Sequence, residues 1–306
     1  DHTTDPETGL PVYSLYGKTR KPTAEMLEGI DVLVFDIQDI GCRFYTYIST
    51  MGLAMEAAAE QGKEFVVLDR PNPIGGTIVE GPLLDAGKES FVGYHTIPVR
   101  HGMTIGELAK MFKAEKKLKL KLTVVPMRYW TRNRRFEATG VAWVNPSPNM
   151  RSLQAAALYP GIGLLETTNL SVGRGTKQPF TVMGAPWLDG EALTRYLDKR
   201  HPGVEIKPAE FTPTASKYKG ERCSGVHFYV TDDREFRPVR LGLDIALWLR
   251  KHYPKQWQID RLPRLLGNDR VYQMIRKGEP LGEIMEVCDE DAQSFLERRR
   301  PYLLYP

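Results

Sequence analysis

Two runs of the same form stand in the first quarter of the chain, Asp31-Val-Leu-Val-Phe-Asp36 and Glu64-Phe-Val-Val-Leu-Asp69. Short apolar runs that end at an acid are typical of fully buried parallel strands. Between them, residues 45–61 are rich in alanine and stop before Gly62, which predicts a helix with a glycine end. A strand, a helix and a second strand in this order predict a parallel sheet.

The same alternation continues further along the chain. Thr104-Ile-Gly-Glu107 has the form of a capping box, and apolar residues follow it at helical spacing. Residues 120–126 are then predicted to be a third strand. We therefore expect an α/β fold in which residues 1–187 form a Rossmann-like parallel-sheet domain that carries most of the functional site.

The pattern changes after Trp187. It predicts a helix over residues 189–200, an alternating strand over 225–230, and amphipathic helices over 239–253 and 281–296. Mixed elements without a βαβ order indicate an α+β arrangement. We expect residues 188–306 to form a smaller α+β domain that closes a cleft against the first.

Composition excludes several classes of protein. The 306 residues are 42% hydrophobic and 26% charged, and no apolar run approaches membrane-spanning length, so we predict no membrane span. The net charge of +4, from 42 basic and 38 acidic residues, is too small to indicate a nucleic-acid partner. Cys42, Cys223 and Cys288 lack the spacing of a zinc site or a disulfide framework, which favours free thiols.

Motifs of other enzyme classes are missing from the sequence. Gly175-Thr-Lys177 has neither the spacing nor the order of a P-loop, and neither Gly-x-Ser-x-Gly nor His-Glu-x-x-His occurs. His101 beside Gly102 is interpreted as structural. No glycine fingerprint follows the first strand, which disfavours a nucleotide-dependent enzyme. We therefore predict neither a cofactor nor a metal.

Candidate site residues follow the predicted strands, because ligands of open parallel sheets bind beyond the carboxyl ends of the strands. The plainer alternative is that the aspartates cap the next helix and pair with neighbouring arginines. Polar or aromatic side chains that reach this edge in the prediction are Asp36, Asp39, Arg43, Tyr45, Asp69, Arg70, Asn72 and Glu80.

A loop over residues 166–180 combines a carboxylate, an arginine and glycines. Gly173 and Gly175 permit positive φ and close approach of the backbone. Arg174 offers a planar fork for a carboxylate, and Glu166 is suited to handle a proton. The alternative is a glycine-rich turn whose polar side chains cap its own backbone.

Amides and aromatic rings near this loop suit a sugar. Asn145-Pro-Ser-Pro-Asn149 is stiffened by its two prolines, so it would hold two amides and a hydroxyl in place, although it can equally be a plain connector. Asn169 adds a third amide. Trp143, Tyr159 and Trp187 are candidates to stack on a sugar ring, or else to fill the core.

Taken together, these segments resemble the exo-acting β-N-acetylmuramidase family, glycoside hydrolase family 171, formerly a domain of unknown function. The similar strings follow the order of the family through the first two-thirds of the chain. They are Thr8-Gly-Leu-Pro-Val-Tyr-Ser-Leu-Tyr-Gly17, Val34-Phe-Asp-Ile-Gln-Asp-Ile-Gly41, Arg43-Phe-Tyr-Thr-Tyr47, Leu68-Asp-Arg-Pro-Asn-Pro73, Glu80-Gly-Pro82, Asn145-Pro-Ser-Pro-Asn-Met150, Tyr159-Pro-Gly161 and the 166–187 segment.

The resemblance implies a function. The family removes N-acetylmuramic acid from the non-reducing ends of peptidoglycan, using a cleft between a Rossmann-like domain and a smaller one. Glycoside hydrolysis normally uses two carboxyls, for which Glu166, Asp36 and Asp69 are the candidates. Substrate binding would fall to the remaining candidates, with Arg174 or Arg43 on the lactyl carboxylate. We expect peptidoglycan-derived saccharides as the partner.

The resemblance also implies an upstream segment. Members of the family carry a strand and a Glu-His-Gly loop before the Thr8–Gly17 string, and that glutamate is their leading catalytic carboxylate. Asp1-His-Thr-Thr, without an initiator Met, therefore suggests a processed or truncated chain. The alternative function is a catalytically silent cell-wall sugar-binding protein. Because peptidoglycan lies outside the cytoplasmic membrane, we expect an extracytoplasmic location, secreted or periplasmic.

Overall fold

The computed structural model describes residues 2–306. Its strands are β1 (Thr3–Thr4), β2 (Pro11–Val12), β3 (Val32–Phe35), β4 (Glu64–Leu68), β5 (Glu80–Leu83), β6 (Pro98–Arg100), β7 (Lys121–Val125), β8 (Val182–Ala185), β9 (Val204–Phe211) and β10 (Cys223–Val230). Its α-helices are α1 (Tyr47–Glu60), α2 (Ile105–Glu115), α3 (Leu153–Ile162), α4 (Gly190–Leu197), α5 (Pro238–His252), α6 (Pro263–Leu266), α7 (Asp269–Lys277) and α8 (Leu281–Arg299). Short 3₁₀ turns include Gly163–Thr167, directly after α3.

The predicted parallel sheet is present. Strands β3, β4 and β7 pair in parallel in that order, with Val34 opposite Val66 and Val66 opposite Thr123. Helix α1 connects β3 to β4, and α2 precedes β7. The α/β fold class is therefore confirmed, whereas the more specific Rossmann-like description stays a prediction.

Local signals in the sequence define the ends of both helices. Gly62 has φ 63°, and the Lys63 amide donates to the Ala58 carbonyl at 2.9 Å, which closes α1 with a left-handed glycine. At α2, the Glu107 amide donates to Thr104 Oγ1, and the Thr104 amide donates to the Glu107 carboxylate. The glycine stop and the capping box are both confirmed.

The expectation that the first strand is buried on both faces is wrong. Phe35 is 6% exposed, but Val32 and Val34 are 40% and 59% exposed. Helices α1 and α2 share one hydrophobic cluster with Phe35 and Phe65 and so cover one face of the sheet. A run of aliphatic residues does not record which face a helix covers, so the pattern was compatible with both arrangements.

A second, antiparallel sheet forms in the later part of the chain. Strand β10 lies between β8 and β9, and α3 and α5 share the core cluster that contains Val226 and Phe228 of β10. Strand β8 ends before residue 187 yet pairs with β10 after it. The second sheet thus begins earlier than the pattern indicated, and the domain division at residue 187 stays a prediction.

The C-terminal segment returns to the first half of the chain. Phe295 of α8 belongs to the cluster around the parallel sheet. The Tyr305 hydroxyl donates to Asp69 Oδ2 at 2.5 Å, and the Arg132 amide donates to the Pro306 carbonyl at 2.9 Å. Cys42, Cys223 and Cys288 are buried free thiols, as predicted. Among residues 2–306, no helix has both the length and the apolar character needed to cross a bilayer.

Two glycines allow α3 and α5 to cross closely. A Cβ atom at Gly161 would lie 1.9 Å from the Pro238 carbonyl oxygen, and one at Gly242 would lie 2.6 Å from the Gly161 oxygen. Both neighbours are backbone atoms, which cannot move aside as a side chain can. This crossing fixes the end of α3, from which the Gly163–Thr167 turn continues into the candidate site.

We predict that Gly161→Ala destabilises the protein. In a helix, alanine is more stable than glycine by about 0.5–1 kcal/mol. The added Cβ would, however, clash with Pro238 and force the two helices apart, at a cost of about 1–3 kcal/mol. The free energy of unfolding from urea denaturation should fall. The matched control is Gly282→Ala in α8, where the added Cβ meets no atom within 4 Å. Equal stability of the two variants would contradict the close crossing.

Candidate active site

A cavity of about 530 Å³ lies where α1, α3, α6 and the 166–180 loop meet. Its volume falls within the range of roughly 300–1,000 Å³ that is usual for small-ligand sites. Both halves of the chain contribute to it. The lining residues are Tyr16, Phe44, Tyr45, Thr46, Tyr47, Val92, Ser147, Pro148, Asn149, Tyr159, Glu166, Thr167, Arg174, Arg264 and Leu265.

Glu166 and Arg174 form a bidentate ion pair in this cavity. Arg174 Nε donates to Glu166 Oε1, and Nη2 donates to Oε2 at 3.2 Å. Burial alone would lower the pKa of Arg174, but the hydrogen bond and the negative charge of Glu166 outweigh it and raise that pKa. The Lys217 ammonium donates to the Glu166 backbone oxygen, and burial lowers the pKa of Lys217. The predicted fork of Arg174 is thus engaged within the protein itself.

The glycines on either side of Arg174 fix the loop. Gly173 and Gly175 have φ 80° and 81°, which confirms the predicted positive φ. The Thr214 amide donates to the Gly175 carbonyl at 2.9 Å, and a Cβ at Gly175 would lie 2.4 Å from a backbone atom of Ala215. Thr176 Oγ1 also donates to the Gly173 carbonyl, so the loop caps its own backbone as well as presenting Arg174.

Tyrosines form the aromatic wall of the cavity. Tyr45 and Tyr159 meet edge to face with ring centroids 5.8 Å apart, and Tyr159 meets Phe180 at 4.7 Å. Burial raises the pKa of both tyrosines, so their hydroxyls stay protonated. The Tyr45 hydroxyl is buried, and the Ser147 side chain of the same cavity wall is its polar neighbour.

The two tryptophans predicted as stacking candidates lie outside the cavity. Trp187 Nε1 donates to the Tyr218 hydroxyl at 3.0 Å, and Trp143 packs against Phe136 at 5.5 Å between ring centroids. Both therefore take the alternative role of packing residues. Tyr159 is the one of the three that lines the cavity.

Asp36 and Asp69 lie at a separate cavity of about 340 Å³. Asp36 accepts from Arg70 Nε at 2.7 Å, which is the Asp–Arg pair weighed as the alternative. Asp69 accepts from four donors: the Arg70 and Gly106 amides and the Thr104 and Tyr305 hydroxyls. Burial outweighs these donors and raises the pKa of Asp69. The structure does not bring either aspartate to the cavity of Glu166.

Arg43 does not face a ligand, contrary to its predicted role. Its side chain is fully buried. Nη1 donates to the carbonyls of Pro82 and Ile97, both at 2.9 Å, and Nη2 donates to those of Leu265 and Leu266, at 3.0 and 2.6 Å. Both terminal nitrogens are thus engaged by backbone and only Nε has no partner, so the guanidinium serves the fold and has no fork left for a lactyl carboxylate.

Three further candidates are buried in structural contacts. Asp39 accepts from the Gly41 amide at 2.8 Å. Asn72 donates to the Met103 carbonyl and accepts from the Ile74 amide. Glu80 accepts from the Arg240 amide at 2.8 Å, and its second oxygen has no partner among the described residues. None of these side chains lines the cavity of Glu166, because each lies within the packed elements behind the strand ends.

Of the predicted asparagines, Asn149 lines the cavity. Asn145 is exposed outside it. The Asn169 amide is engaged on both sides, donating to the Gln256 carbonyl and accepting from the Gln258 amide, each at 2.8 Å. It therefore ties the 166–180 loop to the segment that follows α5.

Residues that sequence reasoning missed complete the lining. Arg264 stands in the short helix α6 and is exposed toward the cavity, and no loop motif marked it. Tyr16 and Tyr47 belong to strings that were quoted for the family resemblance, which is the signal that could have found them. Ser147 lies between the two prolines whose stiffness was noted. Thr167 directly follows Glu166.

Two family models match the chain almost end to end. The model described as exo-beta-N-acetylmuramidase NamZ, N-terminal, matches residues 1–154, and its C-terminal counterpart matches residues 157–305. The chain belongs to the exo-β-N-acetylmuramidase family. Members of this family are glycoside hydrolases, so the chain is an enzyme of the glycosidase class.

Similar proteins support this membership. The chain is 47% identical to the peptidoglycan beta-N-acetylmuramidase NamZ of Bacillus subtilis (strain 168) over 305 residues, which cover 98% of the chain and 74% of that protein. Two crystal structures of DUF1343 family proteins from Bacteroides fragilis NCTC 9343 match with TM-scores of 0.92 and 0.82, at 39% and 34% identity. Each match covers 99% of the chain and 82% of the matched protein.

Glu80 predicts a pH dependence of stability. Burial raises its pKa from 4.5 to about 7, and the charge of Arg100 opposes this only in part. Because the folded state holds this proton more tightly than the unfolded state, stability falls as pH rises from 4.5 to about 7. Above pH 7 the free energy of unfolding should be lower than at pH 4.5 by on the order of 3 kcal/mol.

Glu80→Gln removes the titrating group and keeps an acceptor for the Arg240 amide. The free energy of unfolding of both proteins is measured by urea denaturation. As pH rises from 4.5 to 8, the variant should become more stable relative to the unsubstituted protein. Glu191→Gln, at an exposed position in α4, is the control and should give a nearly constant difference. A constant difference for Glu80→Gln as well would contradict the prediction.

Proposed function

We propose that this chain releases N-acetylmuramic acid from the non-reducing ends of peptidoglycan strands or fragments, using the cavity around Glu166. The observation that carries the proposal is the combination in one cavity of a carboxylate, two arginines and a wall of tyrosines. A carboxylate serves glycoside cleavage, arginine binds the lactyl carboxylate that distinguishes muramic acid, and tyrosine packs on a sugar ring. Identity of 47% to the B. subtilis enzyme supports the same reading.

The two arginines have different roles in this proposal. Arg174 is already paired with Glu166 and keeps that carboxylate in one orientation. Arg264 is exposed at the cavity and has no ion pair to a described residue, so its fork is open to the lactyl carboxylate. The Tyr45 hydroxyl and the Asn149 amide are suited to the N-acetyl group and the ring hydroxyls.

Glu166 supplies one of the two carboxyl groups that glycoside hydrolysis normally requires. It is the one carboxylate among the described residues that line the cavity. A carboxylate held by a guanidinium is suited to act as a base or to stabilise positive charge on the sugar.

A second candidate function follows from the same observation. With one carboxylate at the cavity, and that one engaged by Arg174, the chain has the contacts for holding a wall sugar without cleaving it. The alternative is therefore a catalytically silent cell-wall sugar-binding protein. Binding and turnover measured side by side distinguish the two functions.

We predict that Glu166→Gln lowers kcat on a chromogenic β-N-acetylmuramic acid glycoside by about 10²–10⁴-fold. Glutamine retains the shape and loses the charge, so the affinity for free N-acetylmuramic acid, measured by calorimetry, should change much less. Glu191→Gln is the control and should behave as the unsubstituted chain. Binding without turnover in the unsubstituted chain would establish the silent alternative, and absence of both would overturn the proposal.

We predict that Arg264→Ala discriminates between sugars. Loss of a charge-assisted contact costs about 1.5–3 kcal/mol, so the affinity for N-acetylmuramic acid should fall at least tenfold while that for N-acetylglucosamine changes little. Arg174→Ala should weaken both, because it also releases Glu166. Arg195→Ala, exposed in α4, is the control. Equal losses for both sugars in Arg264→Ala would show that Arg264 does not contact the lactyl group.

We further propose an extracytoplasmic location, because the substrate lies outside the cytoplasmic membrane. Fractionation of cells that express the complete gene provides the test. Recovery in the secreted or periplasmic fraction is expected. Recovery in the cytoplasm alone would instead indicate recycling of imported wall fragments.

A further inference from the structure

A second cleft shares no lining residue with the candidate active site. It lies between the 73–78 segment that precedes β5, the 132–137 segment and the residues between β10 and α5. Its two lobes, of about 410 and 140 Å³, share the lining residues Pro73, Ile74, Arg100, Arg135 and Asp233. The volume of the larger lobe lies within the range of roughly 300–1,000 Å³ that is usual for small-ligand sites.

The larger lobe is rich in arginine, and only some of these arginines are neutralised. Arg132 pairs with Glu107, and Arg135 pairs with Asp233 at 2.6 Å. Arg134 donates to backbone carbonyls outside the lobe. Arg100 and Arg234 line the lobe and form no ion pair with a described residue. Five arginines and one aspartate, Asp233, line the larger lobe, so positive charge is in excess there.

Arg100 is the unusual one of the two. Its side chain is 96% buried, since 4% of its surface is exposed, and it lines both lobes. Nη2 donates to the Ile74 carbonyl, but Nε has no partner among residues 2–306. Glu80 stands opposite it in the pairing of β5 with β6, and the negative charges of Glu80 and Asp233 attract the guanidinium without forming a direct ion pair. Burial lowers the pKa of Arg100 to about 10, so it remains charged at neutral pH.

A buried guanidinium with an unpartnered N–H is costly, and an anion in the cleft would add the direct ion pair that Glu80 and Asp233 do not make with Arg100. We propose that the cleft binds a compact oxyanion, a carboxylate or a phosphate, between Arg100 at its floor and Arg234 at its rim. Guanidinium groups bind both oxyanions through paired N–H donors. The group can be a free inorganic anion or a carboxylate of the peptide that peptidoglycan carries. The second source rests on the proposed function, whereas the anion site itself does not.

Calorimetric titration with inorganic phosphate tests the site. Sodium chloride at matched ionic strength serves as the blank, because it removes general screening from the signal. Saturable binding is expected for phosphate and none for chloride. Arg234→Gln should raise the Kd about tenfold, since it removes the charge at the rim without touching the core. Arg195→Gln, exposed in α4, is the control and should leave the Kd unchanged.

Arg100→Lys tests the floor of the cleft. Lysine keeps the charge and loses the planar fork, so phosphate should bind at least tenfold more weakly. If this buried variant fails to fold, Arg234→Gln decides the question alone. Lack of saturable phosphate binding to the unsubstituted protein, or equal losses in Arg234→Gln and Arg195→Gln, would overturn the proposal.

Competition identifies the source of the anion. The phosphate-loaded protein is titrated with a muramyl peptide that has a free carboxyl terminus. A second titration uses the same peptide with an amidated carboxyl terminus. Displacement by the acid alone supports a peptide carboxylate as the ligand, and displacement by neither supports a free anion. Loss of glycoside turnover with intact phosphate binding would count against the proposed function and leave the anion site standing.

Discussion

The arrangement of the candidate active site depends on one buried guanidinium. Arg43 lies between the β3 strand end and α1, fully enclosed, and its fork donates to carbonyls of Pro82, Ile97, Leu265 and Leu266. Two of these carbonyls lie more than two hundred residues further along the chain. Because burial lowers the pKa of Arg43 only to about 10, the group is charged at neutral pH, and four carbonyl dipoles take the place of a counter-ion.

This contact determines which side chains face each other across the cavity. Phe44 and Tyr45 follow Arg43 directly, and Arg264 precedes Leu265, whose carbonyl the guanidinium holds. Fixing Arg43 therefore fixes the tyrosine wall relative to the arginine that faces it. On the third side, the α3–α5 crossing places the turn that carries Glu166. The Arg264 side chain, which is exposed at the cavity, is therefore positioned by contacts that Arg43 makes outside the cavity.

Local chemistry made much of the fold predictable. The left-handed Gly62 and the Thr104–Glu107 box act within a few residues, so the sequence alone defines those helix ends. The exposed face of β3 was not predictable, because its valines suit either side of a sheet. The sequence pattern predicts the end of a loop where β8 forms, because a strand of four residues leaves little periodicity to detect and its partner β10 lies some forty residues further along the chain.

The candidate site was predictable to a lesser degree, for a related reason. Position at a strand end tells where a backbone lies but not whether a polar group already has partners. Asp69 illustrates the point, since its donors come from residues 70, 104, 106 and 305. By contrast, Glu166 and Arg174 lie eight residues apart in one loop with fixed glycines, so their meeting at the cavity follows from local sequence.

Arg43 and Arg100 show how partners, more than burial, distinguish a structural arginine from a binding one. Both are enclosed to a similar degree, and burial lowers the pKa of each to about 10. Arg43 reaches four backbone oxygens and lines no cavity wall that the structure describes, whereas Arg100 reaches one and borders two adjoining lobes. A buried charge must be compensated from some source. For Arg43 four carbonyls in direct contact supply it, whereas for Arg100 Glu80 and Asp233 act without a direct ion pair, and the cleft beside it leaves room for the proposed anion.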